Sequence, residues 1–173
     1  MLPSGVQLML APLDSSLLYD EEGPGDWRNP VHGIDFSYLE TLELRQAIAA
    51  KTIVVPEDLL AEGKPIIELD LATAKASDQW QSGKVSFIAT RDGRLDGFAG
   101  WFVAELSPSV SLDTGPYHPV THWKQSCFHI RPLLVEKGQR IEVEYSLAKH
   151  PVEPRSLEFR LKVESQSYDF TVG

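Results

Sequence analysis

A length of 173 residues is that of one domain, and folding at this size removes roughly 70% of the surface exposed by the unfolded chain, enough for a self-supporting core. With 42% hydrophobic and 24% charged residues, the composition is that of an ordinary globular protein, neither disordered nor fibrous. The formal net charge of -9 argues against nonspecific binding to nucleic acid or to an anionic membrane, both of which require a cationic footprint.

The first segment, Met1 to Ala11, lacks the basic start and sustained apolar centre of a secretory signal, and no apolar run approaches a membrane span. A cytoplasmic location is therefore expected. Val6, Leu8 and Leu10 alternate on one face of a first strand. From Pro12 to Pro30 the acids, glycines and prolines predict an irregular excursion, pinned to the body by Trp27. Asp35 is placed to cap a helix opening at Phe36, with Phe36, Leu39, Leu42 and Ala47 at roughly helical spacing through Ala50. A β-branched run from Thr52 to Val55 precedes a single helical turn at Pro56. Strands are then expected over 65–72, 85–90, 95–106, 121–130, 141–147, 157–163 and 168–172. Alternation is cleanest late in the chain, where Ile141, Val143, Tyr145 and Leu147, then Leu157, Phe159, Leu161 and Val163, oppose charged neighbours. Arg91-Asp92-Gly93-Arg94 carries the Asp-Gly signal of a tight hairpin. The fold class predicted is mainly β, an antiparallel barrel or sandwich with a small helical arm inserted after the first strand.

The same pass shows little self-contained chemistry. Cys127, the single cysteine, lies in an alternating strand and reads as a small buried hydrophobe rather than a nucleophile. His118 and His122 have His-x-x-x-His spacing, but Pro119 breaks a helix between them and no further ligand completes a metal set. No glycine-rich loop leads from a strand into a helix, so a nucleotide or S-adenosylmethionine cradle is not expected, and neither is a metal site.

Leu112-Asp113-Thr114-Gly115-Pro116 followed by Thr121-His122-Trp123-Lys124-Gln125 resembles the signature loop and strand of type I protein arginine methyltransferases. The resemblance runs along the chain in order. Leu2 to Val6 resembles the first strand of the family's C-terminal barrel, just after the domain junction. His32-Gly33-Ile34-Asp35-Phe36-Ser37 resembles the opening of the dimerisation arm, with His32 and Phe36 where the family has an aromatic residue and methionine. Glu68 to Leu71 resembles the strand returning from the arm, and Gly97-Phe98-Ala99-Gly100-Trp101-Phe102 the family's Gly-Phe-x-x-Trp-Phe strand.

The resemblance implies one barrel domain over residues 1–173, with 27–62 an arm-like insertion bearing Phe36, Leu39 and Leu42 as dimerisation residues. It implies a substrate-binding role for Thr121, His122 and Trp123, and a catalytic role for His122 only beside the family's N-terminal domain. That domain supplies S-adenosylmethionine binding, two arginine-gripping glutamates and the acidic partner of the loop histidine, and none of these is placed on this sequence. For the isolated chain His122 reads as a rim histidine, and strand alternation puts Trp123 with Cys127, favouring the core. Thr121 either fixes the loop or begins a strand. The expected partners are an arginine-containing protein or peptide and a methyl-donor-binding domain in cis or in trans. The complete enzyme would be a homodimer, and the isolated chain an inactive monomer or weak dimer. The alternative is a free-standing, non-catalytic peptide- or protein-binding module.

Overall fold

The computed structural model describes residues 3–44, 48–153 and 155–172, with backbone alone for 48–51. The strands in chain order are β1 (Gly5–Leu13), β2 (Ile48–Thr52), β3 (Lys64–Asp70), β4 (Ser82–Ile88), β5 (Gly93–Ser107), β6 (Val110–Asp113), β7 (Gln125–Val135), β8 (Arg140–Lys149), β9 (Leu157–Val163) and β10 (Gln166–Val172). All pair antiparallel, in two sheets. One has the order β2-β7-β5-β1-β3, with β6 also on β5; the other is β10-β9-β8-β4. β5 is long enough to take β7 along Gly93–Gly100 and β6 along Val103–Ser107. Side chains tie the two sheets together: the Tyr145 hydroxyl donates to Ile66 O at 2.5 Å, the Lys64 ammonium to Ser86 O at 2.7 Å, and Arg131 N–H to the Tyr168 hydroxyl at 2.7 Å.

The main core fills the space between the sheets. Leu10, Phe98, Phe128 and Ile130 from one face Val143, Phe159, Leu161 and Phe170 from the other, with the Phe128 ring 4.7 Å from Phe159 and 5.3 Å from Phe170. A second core lies on the outer face of the larger sheet, where Leu18, Val54 and Leu59 cover Ala11, Leu13, Ala99, Trp101 and Cys127. Burial on both faces makes the middles of β5 and β7 nearly continuous buried runs, whereas β9 keeps the simple alternation of a one-sided strand. A register shift between Leu95 and Gly97 lets Leu95 and Phe98, three residues apart, both join the inner core, and it leaves Asp96 at the irregularity.

Three expectations change. The helix is six residues, α1 (Tyr38–Glu43), not a run from Phe36 to Ala50: Asp35 accepts from Ser37 N–H at 2.8 Å in a local turn, and Ile48–Thr52 is a strand on β7. Ala47 lies outside the described residues. Satisfying an open strand edge outweighs helical periodicity there. Second, the contact that Trp27 makes is with α1, its indole N–H donating to Glu43. Third, Asp92-Gly93 makes no hairpin. β4 pairs β8 while β5 pairs β1 and β7, so residues 89–92 pass from one sheet to the other. Ala89 exchanges backbone bonds with Gln139 and Gly138, and Asp92 accepts from Lys137 N–H at 2.7 Å, contacts with the β7–β8 turn that replace folding back. The expected turn at Pro56 is present as Pro56–Asp58.

Candidate functional site

The stretch from Thr114 to Lys124 joins β6 to β7, and its two ends are fixed by buried polar side chains. The Thr114 hydroxyl donates to Phe102 O at 3.0 Å and accepts from Phe102 N–H at 3.2 Å, so a side chain extends the ladder past the end of β6. Gln125, at 4% exposure, accepts from Val54 N–H at 3.0 Å and donates to Thr114 O at 2.6 Å, joining loop entry, loop exit and the segment after β2. Asp113 accepts from Gly115 N–H at 2.7 Å and meets the His118 imidazole at 3.2 Å. Gly115 packs so closely on the Trp101 indole that a Cβ would lie 2.5 Å from its nitrogen. These contacts fix the loop at its entry and its exit.

At that tip His122 and Trp123 are exposed, with Tyr117 and Val120 beside them. Trp123 is 54% exposed, so it is not the core residue that alternation with Cys127 predicts. The parity fails because β7 starts only at Gln125 and Lys124 has φ +51°, a left-handed residue that interrupts the extended chain. The Trp123 ring stands edge-on to Phe102 at 5.7 Å and to His122 at 6.2 Å. Among the described residues His122 makes no hydrogen bond or ion pair, and the Thr121 hydroxyl oxygen is buried without a partner. The structure thus brings Thr121, His122 and Trp123 together on one corner. It places Phe36, Leu39 and Leu42 separately, on and before α1, with Phe36 and Leu39 half-buried and Leu42 exposed.

The chemistry this corner offers is an imidazole, an indole face and an unsatisfied hydroxyl, with no nucleophile beside a base. Burial pushes the Cys127 thiol up to about 12, which keeps it protonated and inert. His118 turns to Asp113 rather than toward His122, and among the described residues no three His, Cys, Asp or Glu side chains form a metal-sized group. α1 has only six residues and is entered from a turn rather than from a strand through a glycine-rich loop. Among the described residues no helix is long and apolar enough to cross a membrane.

A buried polar cluster on the outer face of the larger sheet is the feature that sequence reasoning misses. Asp96, fully buried, accepts from Ser15 N–H at 3.1 Å and pairs with Arg94 at 3.1 Å, and Arg94 also pairs with Asp20 at 2.7 Å. The Arg94 guanidinium lies over the Tyr19 ring, which meets His129 edge-on at 5.4 Å and donates its hydroxyl to Glu40 on α1. Burial pushes the Asp96 carboxyl up to about 7 against the pull of Arg94, and pulls the His129 imidazole down to about 4. The available signal was an aspartate and a histidine inside otherwise apolar strand runs.

A mainly β, two-sheet antiparallel fold is that of the C-terminal barrel of protein arginine methyltransferases. The chain belongs to that family: the arginine methyltransferase oligomerization subdomain model matches residues 9–168. It is 33% identical over 153 residues to protein arginine N-methyltransferase 2 of Homo sapiens, covering 79% of this chain and 35% of that protein. It is 30% identical over 175 residues to protein arginine N-methyltransferase 1 of Saccharomyces cerevisiae, covering 96% and 49%. The chain therefore spans about a third to a half of these curated relatives. Among solved structures, the Trypanosoma brucei PRMT1 enzyme–prozyme heterotetrameric complex with AdoHcy superposes with a TM-score of 0.88 at 22% identity, over 99% of this chain and 57% of that one, a likeness of fold. PRMT6 matches with a TM-score of 0.67 at 25% identity, over 95% and 55%.

Proposed function

We propose that this chain is the substrate-side and dimerisation barrel of an enzyme that transfers a methyl group from S-adenosylmethionine to a guanidinium nitrogen of a protein arginine. It works only when joined, in cis or in trans, to a methyl-donor-binding domain. The observation that carries the reading is the Thr121-His122-Trp123 corner, rigidly anchored yet left with an unpaired imidazole and a buried, unpartnered hydroxyl. Buried polar groups are rarely left unsatisfied, so the corner suits a surface completed by another domain. In the joined enzyme the Trp123 indole face walls the arginine site, where a guanidinium gains cation–π attraction, and His122 hydrogen-bonds a carboxylate of the other domain. The barrel's contribution is positional: it holds the guanidinium nitrogen in line with the donated methyl and restricts water at the site.

Dimerisation belongs to the arm. Val31, Ile34, Tyr38 and Leu42 form an exposed apolar set on and before α1, 48–64% exposed, of the kind that marks a partner surface. Phe36 and Leu39 support it from half-buried positions. The arm docks on the methyl-donor domain of a second subunit, so the isolated chain is a monomer or a weak dimer. The trypanosome relative, solved as an enzyme–prozyme heterotetramer with AdoHcy, supports an assembly completed by a partner. The second reading, a non-catalytic peptide-binding module, draws support from an apolar cavity beside the loop.

The test is methyl transfer from labelled S-adenosylmethionine to an arginine-rich protein. The chain alone is expected to give none, and addition of a separately produced methyl-donor domain to give transfer that His122→Ala sharply reduces. Turnover by the pure chain contradicts the proposal. Peptide binding with no transfer in any mixture favours the binding module.

A further inference from the structure

Thr121, His122, Trp123 and Lys124 form one tight turn, in which Lys124 N–H donates to Thr121 O at 3.3 Å and His122 and Trp123 are the central residues. Lys124 leaves that turn with φ +51°, in the left-handed region that glycine and asparagine adopt readily and other residues seldom do. Among the described residues His32 and Glu164 share this conformation without being glycine. Both are central residues of short connections, between Val31 and Ile34 and between β9 and β10, where a positive φ suits the twist of the flanking chain. Lys124 has no such reason, since it stands between a turn and the first residue of β7. Strain of this kind persists only where the surroundings over-determine it, and here they do. The Thr121–Lys124 bond holds one side, and on the other Gln125 is tied to Val54 N–H at 3.0 Å and to Thr114 O at 2.6 Å.

We infer that Lys124 is a positioning residue for the arginine site, whose left-handed backbone turns the His122–Trp123 corner outward and keeps it there. The inference rests on the arginine reading above and adds the residue that sets its geometry. With residue 124 extended, β7 would begin earlier, and period-two alternation would carry Trp123 to the face of Gln125 and Cys127, which are 4% and 0% exposed. The indole would be withdrawn from the surface, where it now stands edge-on to Phe102 at 5.7 Å and to His122 at 6.2 Å. The demand at this position is on φ. Residues that tolerate the left-handed region should therefore serve at 124, and β-branched residues should not.

The experiment compares Lys124→Gly, Lys124→Asn, Lys124→Thr and Lys124→Val in the 173-residue chain, each mixed with a saturating amount of the methyl-donor domain and assayed for methyl transfer to an arginine-rich protein. All four remove the lysine side chain together with the contact it makes, so differences among them report the backbone. The Gly and Asn variants should agree with each other and exceed the Thr and Val variants by about tenfold in kcat/KM, the factor to which the cost of a left-handed residue corresponds. The loss should lie in KM, because the indole wall meets the guanidinium in ground state and transition state alike. In the isolated chain the indole N–H signal of Trp123, followed by nuclear magnetic resonance, should keep its natural position with Gly or Asn and move with Thr or Val. Equal kcat/KM for all four, an indole signal that does not move, or a loss confined to kcat, as a smaller folded fraction would give, overturns the positioning role and leaves the arginine reading standing. Absence of transfer by the natural chain in any mixture overturns the arginine reading and this inference with it. If the Val variant does not fold, the Thr variant carries the comparison.

Discussion

Asp96 and His129 give stability two opposed pH dependences that can be separated by substitution. The Asp96 carboxyl, with an ordinary value of 3.8, is raised to about 7 in the folded chain. Across that window the fold holds a proton that the unfolded chain has released, so this group's contribution is full below about pH 4 and is lost as pH rises toward 7. The His129 imidazole is lowered from 6.5 to about 4. Between those values the unfolded chain binds the extra proton, so the contribution of His129 is present above pH 6.5 and is lost as pH falls toward 4. Each slope is about 1.4 kcal/mol per pH unit, and over roughly pH 4 to 6.5 they cancel. His129→Phe keeps an aromatic ring against Tyr19 and unmasks Asp96; its unfolding free energy relative to the natural chain should decline by about 3 kcal/mol from pH 4 to 6.5. Asp96→Asn keeps an acceptor for Ser15 N–H and unmasks His129; its relative stability should climb by about 4 kcal/mol from pH 4 to 7. Urea unfolding at several pH values measures both, and taking differences removes the background from other carboxylates. Variants whose profiles run parallel to the natural chain, or slope the other way, would refute the assigned burial of these groups.

Gln125→Ala strands the buried Val54 N–H and Thr114 carbonyl, and at about 1–3 kcal/mol for each unsatisfied group it should lower the unfolding free energy by about 2–6 kcal/mol in chemical denaturation; a change near zero would mean the loop is anchored elsewhere. Trp123→Ala, at an exposed position, should alter stability by less than about 1 kcal/mol while weakening arginine-peptide affinity about tenfold by titration. Leu42→Asp on the exposed side of α1 should leave thermal unfolding within the scatter of surface substitutions, about 0.5 kcal/mol, yet shift the complete enzyme toward monomer in analytical ultracentrifugation. An unaltered dimer would remove Leu42 from the interface.

The sequence by itself determined the strand-rich architecture, because period-two alternation is a local property and β8 and β9 keep one wet face along most of their length. It also determined the family, since an ordered series of matching segments is legible without coordinates, and the family match over residues 9–168 bears that out. Partnering was decided only by tertiary structure. Asp92-Gly93 has the residues of a hairpin, but the strands on either side find better partners in different sheets. The segment after Glu43 has helical spacing, but an open edge beside β7 claims Ile48–Thr52 as strand. Trp123 was misplaced because one left-handed residue, Lys124, breaks the parity on which alternation depends, and backbone handedness at a non-glycine residue leaves no mark in composition. The Asp96–His129 cluster arises where distant strands meet. Burial, and the protonation that follows from it, is a property of that meeting rather than of any one segment.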